Sequence, residues 1–137
     1  TLTVDVPSAY DSSEDLAPLV SKALKRGLPD AVVAYNDMYA FSVYSALRAA
    51  GVEPGHDLAV VSFDDVPDAT RAYPALTSAA GYPDRVGAPA TELLLSAIER
   101  QPSSPRHVLV PPSLHPRRSS LGWRGATVGS GSPEMTA

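Results

Sequence analysis

Two polar side chains follow apolar runs of strand length: Asn36 after Ala31-Val32-Val33-Ala34-Tyr35, and Asp64 after Leu58-Ala59-Val60-Val61-Ser62-Phe63. In an open parallel sheet the crevice beyond the carboxyl ends of the strands is where ligands bind, because loops and helix N-termini converge there. A carboxamide brings one acceptor and two donors, and a carboxylate brings two acceptor oxygens. That set matches the vicinal hydroxyls of a sugar or the edge of a nucleobase. Bonds to the charged Asp64 would be the strongest and would reject a ligand lacking the matching hydroxyl. Tyr10 would lie on the same rim, placed to stack on a sugar or purine face. The plainer alternatives are that Asn36 caps the next helix, Asp64 bonds its own loop backbone, and Tyr10 is a buried rim aromatic.

Other chemistries fit these residues less well. Asp64-Asp65 after a strand suits a phosphoacceptor pocket, but that reaction needs a lysine opposite the phosphate, and Lys22 and Lys25 fall on the last turns of a helix. Neither G-x-x-x-x-G-K-[ST] nor G-x-G-x-x-G occurs; Asn36-Asp37 occupies the turn where a phosphate loop would sit. His56, His107 and His115 are scattered and cysteine is absent, so neither a nucleophile–base pair nor a metal site is read, and no cofactor is expected. A net charge of −4 over 137 residues gives phosphates little to bind. Arg117, Arg118 and Arg124 make a local basic cluster better read as ion-pair partners than as DNA contacts. No apolar run reaches the roughly 18 residues of a membrane span.

Residues 1–6 alternate as a strand would, closed by Pro7-Ser8. Leu16, Leu19, Val20, Ala23 and Leu24 recur with helical spacing after the capping oxygens of Asp11-Ser12-Ser13, and Pro18 is tolerable there if it lies in the first turn. Strand 31–35 leads to a helix over about 38–50 that stops at Gly51, and strand 58–63 follows. Apolar runs of this kind with short connections predict parallel pairing. Residues 76–80 read as a short extended crossing, 86–98 as an amphipathic helix and 107–110 as a strand; from about 125 the Gly/Ser/Thr/Pro composition predicts a flexible tail. The fold class is α/β, a parallel-sheet three-layer α/β/α arrangement.

Read in order, several segments resemble the effector-binding domain of lactose-repressor-type (LacI/GalR) transcription regulators. They are Pro29-Asp30-Ala31-Val32-Val33-Ala34-Tyr35-Asn36-Asp37, Ala46-Leu47-Arg48-Ala49-Ala50-Gly51-Val52, Val60-Val61-Ser62-Phe63-Asp64-Asp65, Pro74-Ala75-Leu76-Thr77-Ser78, Ala90-Thr91-Glu92-Leu93-Leu94-Leu95, Leu109-Val110-Pro111-Pro112-Ser113-Leu114 and Arg117-Arg118-Ser119-Ser120. The resemblance implies a two-lobed, periplasmic-binding-protein-like type I fold with a small-molecule effector in its cleft. It implies that this chain is the C-terminal portion, residues 1–124, with 79–106 crossing to the other lobe, and that DNA is reached through a helix-turn-helix outside this chain. Helix 86–98 would then lack its partner, so self-association or marginal stability of the isolated chain is expected.

Carried over by position, Asn36 and Asp64 match the family's polar effector ligands and Tyr10 its aromatic contact. Where relatives carry a polar rim side chain, this chain has Ala80-Gly81-Tyr82-Pro83, and Tyr82 is the residue that replaces some of the lost surface. The family's homodimer surfaces would present Phe41, Tyr44, Arg71 and Tyr73. The resulting expectation is a cytoplasmic, non-enzymatic effector sensor of the sugar or nucleobase class; the alternative is an extracytoplasmic sugar-binding protein of a transport system.

Overall fold

The computed structural model describes residues 16–99 and 107–123. The expected strand at 1–6, Tyr10, the capping run 11–13, Arg124 and the tail lie outside the described residues. Helix α1, Ala17–Leu24, has Pro18 in its first turn, where a missing N–H costs no helical bond, and Lys22 in its last, where a cation suits the dipole. Strand β1 (Ala31–Val33), helix α2 (Asp37–Ala49) and strand β2 (Ala59–Phe63) follow, then α3 (Pro67–Arg71), β3 (Thr77–Ala80), α4 (Pro83–Ile98), β4 (Ser113–His115) and α5 (Arg118–Leu121). Gly51, just beyond α2, takes φ +75°, the left-handed stop that glycine makes without steric cost.

The strands lie in the order β1-β2-β3-β4. The first three are parallel, with Val33 beside Val61 and Val61 beside Thr77, and β4 runs antiparallel to β3 with Ser113 opposite Ala80. The strand expected at 107–110 is therefore displaced to 113–115: Pro111 and Pro112 have no N–H to give a ladder, and pairing begins just past them. Helix α3 was not anticipated, although Pro67 at its start, Asp68 in its first turn and Arg71 in its last are ordinary helix signals compressed into five residues. Helix α5 was missed for the same reason, being shorter than any periodicity can register.

One face of the sheet carries the core. Val60 packs with Ala40, Tyr44 and Leu47 of α2 and with Leu58, Ala69 and Leu76, while Val20 and Leu24 of α1 and Val32 of β1 close its edge. The third layer is thin among the described residues. Helix α5 sits where β2 and β3 begin, with Ser120 Oγ 2.8 Å from Thr77 Oγ1. Gly55, at φ +77°, lets this helix approach, because a Cβ there would meet the Arg118 carbonyl at 2.8 Å. The rest of that face exposes Val33, Phe63 and Leu114. Helix α4 carries Pro89 in its interior and leaves Val86, Leu94, Leu95 and Ile98 exposed.

Tyr44, expected at a dimer surface, is instead a core residue at 3 % exposure, its hydroxyl donating to the Pro74 carbonyl at 3.2 Å. Helical phase decides this: Ala40, Tyr44 and Leu47 lie on the same inward stripe. Burial pushes the Tyr44 phenol above its ordinary value of 10.0, against the smaller lowering effects of Ser119 and Arg48.

Two outcomes follow for stability. A phenol raised in the folded state gives stabilisation that is complete below pH 10 and is lost as pH rises through the folded value. Urea midpoints should therefore fall above that pH in the parent and fall less steeply in Tyr44→Phe. At neutral pH, Leu47→Ala should cost about 2–5 kcal/mol by urea unfolding, whereas Leu94→Ala on exposed α4 should stay within about 0.5 kcal/mol.

Candidate functional site

Because β1, β2 and β3 are parallel and adjacent, their carboxyl ends open on one rim. Asn36, Asp64 and Tyr82 all follow those ends. Asn36 is extended (φ −153°) and caps α2, its Oδ1 accepting the Tyr39 N–H at 3.0 Å. The capping role holds, and it fixes the orientation of the side-chain amide through its Oδ1. Asp64 stands at φ +101° with its N–H on the Ala79 carbonyl at 3.0 Å. Its side chain is exposed and, among the described residues, without a hydrogen-bond or ion-pair partner.

Tyr82 is half-buried at φ +49°, immediately before α4, with the Arg85 guanidinium over its ring at 4.3 Å from the centroid. One ring face is thus engaged by a cation. The sequence reading passed over Tyr35, which is 83 % exposed at the end of β1 and stands edge-on to Tyr39 with centroids 6.2 Å apart. Its place in an apolar run disguised it as a core residue. Among the described residues no three carboxylate, histidine or cysteine side chains are grouped to hold a metal ion.

The residue beneath the rim is Asp37, which sequence reasoning also missed. Its carboxylate is fully buried at the first position of α2. Oδ1 accepts from the hydroxyls of Ser62 on β2 and Ser78 on β3, the latter at 2.7 Å, and Oδ2 accepts the Val66 N–H at 2.8 Å. A buried carboxylate is costly unless its oxygens are bonded. Here three donors and the positive end of the helix dipole supply the compensation. A possible signal was the placement of Ser62 and Ser78 on two otherwise apolar or small-residue strands, which becomes meaningful once Ser62 and Ser78 are seen in register.

Asp65, at φ +53°, turns inward. Its N–H donates to Ser78 Oγ at 3.0 Å, and its carboxylate meets Arg117 Nη1 at 2.6 Å and His115 Nδ1 at 3.6 Å. Asp65 Oδ1 is buried, with no hydrogen bond of good angle, so the Arg117 ion pair is what offsets its charge. Arg117, expected as an ion-pair partner, does pair with Asp65, and at 15 % side-chain exposure it belongs to this largely shielded cluster, while Arg118 is exposed.

The remaining expected interface residues divide. Arg71 is exposed and pairs with Asp68 at 3.2 Å, and Tyr73 is 82 % exposed, so both remain available to a partner. Phe41 is half-buried against the core. Tyr44, in the interior, is removed from the set.

The periplasmic binding protein-like domain model matches residues 2–120. The lactose operon repressor of Rhizobium radiobacter is 35% identical over 92 residues, 67% of this chain and 80% of that protein. The HTH-type transcriptional repressor MelR of Bacillus subtilis is 33% identical over 102 residues, covering 74% of this chain but 29% of the repressor. A solved complex of the transcriptional regulator CelR with cellobiose superposes with a TM-score of 0.68 at 28% identity, over 76% of this chain and 32% of that one. The chain therefore spans about a third of the length of MelR and CelR.

The two buried-side contacts of the rim have separable costs. Asn36→Ala should lose about 1 kcal/mol with its cap, and Ser78→Ala, which strips a donor from Asp37 and an acceptor from Asp65, about 1–3 kcal/mol. Urea unfolding of each variant beside the parent measures both; equal costs below the error of the method would contradict the network.

Proposed function

The chain belongs to the periplasmic-binding-protein-like domain family of lactose-repressor-type (LacI/GalR) transcription regulators, and on that premise we propose that it is the effector-sensing portion of a DNA-binding repressor. The observation that carries the reading is the division of the Asp64-Asp65 pair. Asp65 is anchored inward, while the Asp64 carboxylate is presented, unpartnered among the described residues, on the rim that Asn36 shares. A carboxylate and a carboxamide there suit a ligand rich in hydroxyl or ring N–H groups, a sugar or a nucleobase. Tyr10 and Tyr82 supply the flanking aromatic surface in this reading. The lactose operon repressor and the CelR–cellobiose complex, both named for a sugar, support the sugar class.

In this proposal residues 1–124 form part of one lobed domain, with 79–106 crossing between lobes and 125–137 trailing from it. Two copies pair through a surface that includes Arg71 and Tyr73, with Phe41 at its margin. DNA is bound by a helix-turn-helix outside this chain, the action is in the cytoplasm, and neither catalysis nor a cofactor is involved. The effector shifts the regulator only by binding one arrangement of the lobes better than the other. A transport-system binding protein shares the fold, but MelR and the lactose operon repressor are repressors, which favours the regulator.

The test is a thermal-shift screen of the intact protein against lactose, cellobiose, further sugars and free nucleobases. At least one compound should raise the melting temperature. Asp64→Ala, losing charged hydrogen bonds of about 1.5–3 kcal/mol, should weaken its binding about 10- to 100-fold. Stabilisation that survives Asp64→Ala unchanged would place the site elsewhere.

A further inference from the structure

We propose that Arg117 is a positioning residue of the effector site: through its ion pair with Asp65 it holds the turn at residues 64–65 in the conformation that presents the Asp64 carboxylate on the rim. The inference rests on the reading of Asp64 as a ligand group. Asp64 and Asp65 are consecutive non-glycine residues at positive φ, +101° and +53°. Such a pair persists only where the surroundings hold it in place.

The backbone of the turn is held by hydrogen bonds from the Asp64 N–H to Ala79 O, from the Asp65 N–H to Ser78 Oγ and from the Val66 N–H to Asp37 Oδ2. The inward direction of the Asp65 side chain is set by Arg117, at 2.6 Å, with both side chains 15 % exposed. An ion pair so shielded is stronger than one in water. Arg117 is itself fixed, its N–H donating to Thr77 Oγ1 at 2.7 Å and its Nη1 to the Leu76 carbonyl at 2.7 Å. It thus acts as a rigid post and not as a mobile surface cation.

The post also answers an electrostatic need. Ser78 Oγ donates to the Asp37 carboxylate and accepts the Asp65 backbone N–H, so one hydroxyl ties the buried Asp37 carboxylate to the turn that carries the Asp65 charge. His115 Nδ1 stands 3.6 Å from Asp65 Oδ2, and its Nε2 is buried without a partner. Of the described side chains that pair with Asp65, Arg117 is the permanent cation. Without it, Asp65 is left with a buried and uncompensated charge that is relieved by turning the loop outward, and Asp64, one residue earlier, is re-aimed with it.

Hydrogen exchange on the intact, ligand-free protein tests this directly. Arg117→Ala should speed exchange of the Asp64, Asp65 and Val66 amides at least about tenfold while Val60 and Leu47 keep their protection, and Arg117→Lys should restore most of it. Asp65→Asn removes the charge while asparagine tolerates the left-handed backbone and keeps the N–H bond to Ser78. It should loosen the same three amides and decides the matter if Arg117→Ala disturbs the whole core. Unchanged exchange at 64–66 in Asp65→Asn overturns the proposal.

Titration calorimetry with lactose and with cellobiose provides the functional arm. Whichever sugar binds should do so at least about tenfold more weakly in Arg117→Ala, with recovery in Arg117→Lys. If Asp64→Ala leaves sugar binding intact, the effector-site reading fails, whereas the exchange result still decides whether Arg117 holds the turn. Selective loosening of 64–66 with undiminished binding in Arg117→Ala, in a protein whose binding does require Asp64, rejects the positioning role itself.

Discussion

A carboxylate with no exposed surface cannot be left to itself, and the placement of Asp37 dictates much of what surrounds it. Its three donors come from β2, from β3 and from the turn that leaves β2, so one side chain ties the start of α2 to two strands and a loop. The arrangement needs the two serines to lie side by side, which the parallel register of Ser62 and Ser78 provides. The energetic logic is asymmetric: forming the network yields little beyond what water offered, but removing one member leaves another polar group buried and unbonded. Networks of this kind specify one arrangement of strands and turns over others of similar hydrophobic burial.

Both chemically suggestive dipeptides on the rim are built on the same plan. In Asn36-Asp37 the second residue points into the core network, and in Asp64-Asp65 the second residue pairs with Arg117. The first residue of each pair stays at the surface, Asn36 oriented by its cap and Asp64 by a left-handed backbone. Structural anchor and candidate ligand group are therefore adjacent in sequence, so little freedom separates the rigid network from the groups that would meet an effector. Pre-set polar groups of this kind bind with less ordering cost than groups on mobile loops.

Several apolar surfaces have no cover among the described residues: Val33, Phe63 and Leu114 on one sheet face, and Leu94, Leu95 and Ile98 along α4. Exposed stripes of this size are unusual for a self-contained domain. They accord with a chain that spans 29% of MelR and 32% of CelR. The antiparallel return of β4 beside β3, with Ser113 opposite Ala80, places the departure of α4 and the return of the chain side by side.

The sequence by itself determined the α/β class, the main helices and parallel strands, and the positions of Asn36 and Asp64 at strand ends. Those follow from periodicity and from Pro and Gly punctuation, which are local properties. It also carried the family, because ordered short motifs survive without contact information. Only the tertiary structure decided which polar residues face inward. Asp37, Asp65 and Arg117 look in sequence like surface charges, and their partners lie 25 or more residues away, at Ser62, Ser78 and across the β3–β4 pairing. The same holds for Tyr44, whose burial depends on helical phase against a particular sheet, and for the shift of the last strand to Ser113–His115, which depends on where two prolines leave off and the β3 edge begins. Burial and register are properties of juxtaposed segments, so no single stretch of chain contains them.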